Sequence, residues 1–416
     1  MRIVGIDIGT TSVCGIALDV DTGCVIKSRT ENSNAFIDNS ESWEKIQSVD
    51  KIMAVAMDIL NDLIDDTTAV VGVTGQMHGI VYTDKDGNAV SPLYTWQDGR
   101  GNQEYRGTTY AEFLGSSTGY GAVTDFYNKE NGIRPETAVN YCTIHDYLVM
   151  KLCGLRTPVI HDTDYASFGK GVRDNNAEVV SGYKIVGEYK GIPVGVAIGD
   201  NQASVFSTLA NENDILLNVG TGSQISVISD IPVNADNIET RPYFDGKYLV
   251  VGAALCGGRA YSILKNFYYQ VFGYVTDIKE TDVYDIMNKM ISDTNLTVKV
   301  DTRFAGTRSD NSITGSISGI TENNFTPGQI TLGVLDGIVK ELYNMYKIMN
   351  IKKSGLVGSG NGIRKNSSLV KCAELIFESK MQIPSHVEEA AFGAALYGGV
   401  ACGIIRDKQK FIRYEG

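Results

Sequence analysis

The sequence predicts an α/β protein built from two similar halves, each a central sheet covered by helices. Three observations carry that expectation. An alternating apolar run near the start turns on Gly9-Thr10-Thr11-Ser12, and a similar run turns on Gly220-Thr221-Gly222-Ser223. The two are in register at an offset of 211 (Asp7 to Asn218, Gly9 to Gly220), about half of the 416 residues. After each turn, short apolar strands alternate with stretches of helical spacing. Self-similarity at half the chain length indicates a duplicated domain and not a solenoid. Alternating strands and helices imply sheet and helix layers.

The elements follow in order. Residues 3–8 and 13–18 form a hairpin around the first turn, and 24–28 add a third strand after Asp21-Thr22-Gly23. Residues 43–63 have helical spacing, with Ser42 as N-cap. Residues 69–73 read as a buried strand, 141–152 as a helix, 192–198 as a strand and 202–209 as a helix. In the second half, 330–349 is a long helix and 356–358 ends a strand. Two more helices follow over 368–379 and 388–397, the latter rich in small residues. The boundary falls near 208, giving expected domains 1–208 and 209–416.

Composition narrows the function. Apolar residues make up 43% and charged residues 21%, values of a globular chain. With 37 Lys+Arg against 49 Asp+Glu, the net charge is −12. That balance disfavours binding to nucleic acid or to anionic membranes. No apolar run approaches the length of a membrane span. The seven cysteines are odd in number and lack C-x-x-C spacing, which argues against a disulfide framework or a zinc site and for a reducing, cytoplasmic location.

The two turns offer small residues, backbone N–H groups and the hydroxyls of Thr10, Thr11, Ser12 and Thr221, the composition of an anion-binding nest. One such turn reads as an ordinary hairpin; two in register read as a phosphate clamp. Asp7, just before the first turn, could hold Mg²⁺ through water. No P-loop motif occurs. Gly358-Ser359-Gly360-Asn361-Gly362, between strand and helix, is another place where backbone can approach a nucleotide. Asp200 ends one apolar run and opens a helix. It reads either as a general base for a substrate hydroxyl or as a helix N-cap. Gln76-Met77-His78-Gly79 and Trp96-Gln97-Asp98-Gly99-Arg100 each contain residues with ordinary structural uses. Taken together, their amide, imidazole, indole, carboxylate and guanidinium groups suit a polyhydroxylated ligand. His145, His161 and His386 have no metal-ligand spacing and read as structural.

These segments resemble the FGGY family of carbohydrate kinases along the whole chain. Asp7-Ile8-Gly9-Thr10-Thr11-Ser12 is similar to the family's first phosphate motif, and Asn218-Val219-Gly220-Thr221-Gly222-Ser223 to its second. Gly199-Asp200-Asn201-Gln202-Ala203 resembles the segment of its catalytic aspartate, and residues 315–336 its C-terminal signature. Within the family, Gln76-Met77-His78-Gly79, Thr95 through Arg100, Glu239-Thr240-Arg241-Pro242 and Cys256 through Tyr261 most resemble sedoheptulokinases. The resemblance implies two actin-like, ribonuclease-H-like ATPase domains flanking a catalytic cleft, the N-terminal one for sugar and the C-terminal one for nucleotide. It implies transfer of the γ-phosphoryl of ATP, with Mg²⁺, to a terminal hydroxyl of a ketose such as sedoheptulose. Asp200 would be the base, and Asp7 with Asp200 would anchor the metal. Thr10, Thr11, Ser12, Gly220, Thr221, Gly222, Gly358, Gly360, Asn361 and Asn366 would hold the nucleotide. Gln76, Met77, His78, Trp96, Asp98, Arg100 and Asn201 would hold the sugar. A xylulokinase or another ketose or polyol kinase stays open, as does an actin- or chaperone-like ATPase switch. The expected partner is a small-molecule ketose, with a homodimer left open.

Overall fold

The computed structural model describes residues 1–415 except 39–40, 172–174, 292–295, 308–309 and 311. The chain divides into two compact units. The first comprises Met1–Ala210, Arg241–Gly246 and Glu388–Ile412, and the second Asn211–Thr240, Lys247–Val387 and Arg413–Gly416. The first break lies at 210, close to the expected 208, but the second half is not one continuous domain. Residues 241–246 and the last long helix belong to the first unit.

The first unit opens with β1 (Arg2–Ile8), β2 (Ser12–Asp19) and β3 (Val25–Asn32). β1 is apolar along nearly its whole length, as a strand covered on both faces must be. A two-residue strand, β4 (Ile46–Gln47), precedes helix α1 (Val49–Leu63). The helix starts later than its apolar spacing suggested. Ser48, not Ser42, is the N-cap, accepting a bond from the Lys51 N–H. β4 is drawn off by pairing with β6 (Leu93–Tyr94). α1 buries Val49, Ile52, Ala56, Ile59, Leu60 and Leu63 on one stripe. It also supplies the crossover that lets β5 (Thr68–Gly75) run parallel to β1.

Helix α2 (Ile144–Cys153) begins at a capping box between Thr143 and Asp146, so Tyr141, expected to be helical, instead lies in a short strand. The sheet is completed by β7 (Ile185–Tyr189), β8 (Ile192–Gly195) and β9 (Ile198–Gly199), the last leading into α3 (Asp200–Thr208). The strand order is β3-β2-β1-β5-β8-β7, with β9 also on β5.

The second unit repeats the plan. β10 (Asp214–Val219), β11 (Ser223–Ser229) and β12 (Tyr248–Ala254) form an antiparallel meander. Helices α4 (Gly258–Gly273), α5 (Val283–Met290) and α6 (Pro327–Met349) follow. β13 (Gly355–Ser359) then runs parallel to β10, as β5 does to β1. Helices α7 (Gly360–Lys365) and α8 (Ser367–Phe377) lead to β14 (Met381–Gln382) beside β13. The shared pairing, third strand to second to first to crossover strand, is the duplication seen as topology. The repeat slips by one residue at its turns: Ile8 pairs with Val13, but Val219 pairs with Ser223. The first turn is therefore one residue longer.

The last helix, α9 (Glu389–Ala401), returns to the first unit and packs on β1, β5 and α3. Gly5 and Gly72 are cross-strand partners in the β1–β5 ladder. A methyl group on Gly72 would overlap the Ala394 carbonyl oxygen, and one on Gly5 the Ala391 carbonyl oxygen. The helix thus lies backbone to backbone on two adjacent strands. Gly72→Ala should lower the urea midpoint in proportion to a loss of about 3 kcal/mol, as overpacking of a filled core does. Gly273→Ala, where nothing lies within 4 Å of the added methyl, should leave the midpoint within about 0.5 kcal/mol.

Candidate active site

In the first unit the β1–β2 turn, the end of β5 and the start of α3 come together. Asp7 is the penultimate residue of β1, paired with Thr74 of β5, and Gly199 pairs with Gly75. Asp200 is the first residue of α3, and Gly199 holds the cap position without a side-chain bond. Asp200 is therefore not the N-cap that its sequence position also allowed. Burial, then the carboxylates of Asp200 and Glu388, push Asp7 up to about 7. Burial also raises Asp200, opposed by His145, Arg241 and the Asn201 N–H. Arg241 donates to Asn201 Oδ1 at 3.2 Å. Its stretch was singled out in the sequence, but without a role.

Thr10, Gln76 and Gln47 close a ring of bonds, and Trp96 donates into it. The Trp96 indole N–H donates to Thr10 Oγ1 at 2.9 Å, and Thr10 Oγ1 donates to Gln76 Oε1 at 3.3 Å. Gln76 Nε2 donates to Gln47 Oε1 at 3.0 Å, and Gln47 Nε2 to the Thr10 carbonyl at 2.5 Å. Gln47 was missed because it lies in a stretch that reads as helix. His78 takes a left-handed backbone, φ 73°, and stacks on Tyr120 with ring centroids 4.2 Å apart. Its Nδ1 lies 2.7 Å from the Ser167 carbonyl. That oxygen can only accept, so Nδ1 carries a proton. Trp96 is 46% exposed.

Two residues expected to bind sugar do something else. Asp98 and Arg100 are fully buried. Arg100 Nε donates to Asp98 Oδ1 at 2.6 Å, Nη1 donates to Asn128, and the guanidinium lies 4.2 Å above the Tyr94 ring. Asp98 also accepts from the Lys45 N–H at 3.0 Å. A buried carboxylate and guanidinium satisfy each other, because leaving either unpaired is costly. Met77 is likewise buried, its thioether filling the space a side chain at Gly199 would need.

In the second unit a cavity of about 870 Å³ is lined by Gly220, Thr221, Tyr261, Tyr284, Lys365, Asn361 and Asn366, among others. The β10–β11 turn is held against the start of α4: the Gly258 and Arg259 N–H groups donate to the Gly220 and Thr221 carbonyls at 2.8 and 2.9 Å. Tyr261 and Tyr284 stack at 5.7 Å, and Tyr261 Oη donates to Asn288 Oδ1 at 2.9 Å. Asn366 caps α8 through its side-chain oxygen. Gly222, Gly358 and Gly360 do not line the cavity. Gly360 has φ 84°, and a side chain there would press on the Val219 carbonyl; its role is to let β13 turn into α7. The aromatic wall from α4 and α5 was not foreseen, because its tyrosines look like ordinary helix-core residues in sequence.

The N-terminal-domain profile of the FGGY family of carbohydrate kinases matches residues 2–171, and the C-terminal-domain profile matches residues 215–402. The chain belongs to the FGGY family of carbohydrate kinases. It is an ATP-dependent carbohydrate kinase, a transferase. This FGGY kinase is 29% identical to the human sedoheptulokinase and 28% to the mouse one, each alignment covering 94% of this chain and 96% of the relative. A ligand-bound xylulose kinase from Lactobacillus acidophilus superposes with a TM-score of 0.83 over 100% of this chain and 93% of that one, at 19% identity. The fold of this FGGY kinase is that of two actin-like, ribonuclease-H-like domains. Among its described residues no helix is long and apolar enough to cross a membrane. Asp98→Ala should cost about 3–5 kcal/mol in urea unfolding, because it strands the Arg100 charge in the core.

Proposed function

We propose that this kinase transfers the γ-phosphoryl of ATP to a terminal hydroxyl of sedoheptulose. The observation that carries the reaction is Asp200. Its carboxylate starts a helix that it does not cap, it keeps some exposed surface, and Asp7 stands near enough to raise its own affinity for protons in response. Such a group can take the proton of an attacking hydroxyl. The similarity to two sedoheptulokinases along nearly the whole chain supports the seven-carbon acceptor.

In this reading the first unit binds the sugar and the second the nucleotide. His78, Gln76 and Asn201 offer polar contacts to the sugar hydroxyls, and the exposed face of Trp96 covers the C–H side. Asp98, Arg100 and Met77 act from behind, by fixing the loops. In the second unit the Tyr261–Tyr284 wall and Asn361 suit the adenosine. The Gly220-Thr221-Gly222 turn and the Thr10-Thr11-Ser12 turn suit phosphate oxygens. Among the described residues no three acidic, His or Cys side chains converge closely enough to cage a metal. The repulsion that the carboxylates of Asp200 and Glu388 exert on Asp7 fits a divalent cation held by Asp7 and Asp200 through water. Mg²⁺ bound there would supply charge neutralisation for the phosphates. The free cysteines fit a reducing, cytoplasmic setting.

The test is coupled ADP release with Mg-ATP across sedoheptulose, D-xylulose, D-ribulose, L-ribulose, glycerol and no sugar. Sedoheptulose should give the highest kcat/KM, and Asp200→Asn should cut it by about 10²–10⁴-fold, the range for loss of a general base. A preference for D-xylulose would keep the mechanism and change the acceptor. A rate indifferent to every sugar would point to an ATPase switch.

A further inference from the structure

The bonds around Thr10 have only one possible direction, and two groups that cannot change role fix it. The Thr10 carbonyl can only accept, so Gln47 must present Nε2 to it. Gln47 Oε1 then faces Gln76 Nε2, which leaves Gln76 Oε1 as the atom facing the Thr10 hydroxyl. The indole N–H of Trp96 can only donate, so Thr10 Oγ1 accepts from it. The single proton of Thr10 is therefore directed at Gln76. As long as the ring is closed, that hydroxyl has a lone pair to offer a ligand but no proton. A phosphate oxygen needs the proton.

We propose that Gln47 is a positioning residue that keeps the Thr10 hydroxyl proton on Gln76 until an acceptor hydroxyl claims the Gln76 oxygen. The inference rests on the reading of Thr10 as a phosphate contact and Gln76 as a sugar contact. The Thr10–Gln76 link is the one built to open. At 3.3 Å it is the longest in the ring and beyond the usual O–H···O range, whereas the Gln47 bonds are 2.5 and 3.0 Å. Gln47 is fully buried, and its strand is held from both sides, by β6 and by a bridge to Phe36. It cannot turn away when a ligand arrives. A sugar hydroxyl that donates to Gln76 Oε1 replaces Thr10 there, and Thr10 can then rotate its proton to a phosphate oxygen. No covalent bond changes. The outcome is that ATP meets a full set of phosphate donors only beside an acceptor, which limits loss of ATP to water.

Gln47→Met keeps the volume and removes both bonds, freeing Gln76 to turn its N–H₂ towards Thr10 and release the hydroxyl proton permanently. The ratio of sugar-independent to sugar-dependent ADP release should rise about five-fold, the factor one ordinary hydrogen bond supplies, and adding Thr10→Val should abolish the rise. Thr10→Val alone, which tests the idea even if the Met variant does not fold, should lower the sugar-dependent rate about five-fold more than the sugar-independent one. Without ATP, sugar should shift the Trp96 indole ¹⁵N–H signal, one of two in the chain and assigned with Trp96→Phe, and should not shift it in Gln47→Met. Parallel loss of both rates in folded variants, with the ratio unchanged, would overturn the role of Gln47 and leave the kinase reading intact. A wild-type protein that ignores every sugar would overturn both.

Discussion

The last long helix of the chain meets its first strand backbone to backbone at Gly5, and the first unit is arranged around that contact. Gly5 and Gly72 stand side by side in the β1–β5 ladder and clear a flat strip for the α9 backbone. On its other side α9 meets α3 just as closely, with Gly393 against the Ala203 carbonyl. Dense packing of this kind transmits position with little slack. β1 ends near Asp7, α3 begins at Asp200, and α9 is preceded by Glu388. One three-way contact therefore sets the spacing of three carboxylates, close enough that Asp200 and Glu388 both raise Asp7.

A second constraint works through charge. The Asp98–Arg100 pair ties together two segments that are distant in sequence. Asp98 accepts from the Lys45 N–H, Arg100 reaches Glu44 at 3.4 Å, and Thr95 donates to the Lys45 carbonyl from both its N–H and its hydroxyl. Beside these anchors lie Gln47, which closes the ring around Thr10, and Trp96, which donates into it. A large exposed indole would otherwise be mobile, and here its loop is fixed from beneath. A buried ion pair of this sort contributes little net stability compared with an apolar pair; what it supplies is a single geometry for the groups above it.

Local pattern made the architecture legible. The paired turns at an offset of 211 announced the duplication, and the strand order of each unit repeats it. Turn chemistry and apolar period are short-range properties, so they can be read along a chain. What could not be read depended on neighbours far away in sequence. Residues 43–47 have helical spacing, but pairing of β4 with β6 outweighs it, and Ser48 rather than Ser42 starts α1. Asp98 and Arg100 look like ligand groups because charged residues in a loop usually face water; only a fold that brings Lys45, Asn128 and Tyr94 around them makes burial affordable. The tyrosines of α4 and α5 look like core until β10–β11 leaves a cavity beside them. The return of α9 to the first unit was equally hidden, since a helix of small residues does not reveal which sheet it will cover.

That return sets an order for the birth of the molecule. A ribosome releases β1, β5 and α3 long before it releases α9, and domains generally form as units as the chain emerges. Until nearly 400 residues have been made, the glycine strip on the first sheet has no cover, while the second unit already has every strand and helix of its core. The domain first in sequence thus closes its core after the second has the strands and helices of its own, and a chain that stops short of residue 389 would carry a sheet face with nothing to close it.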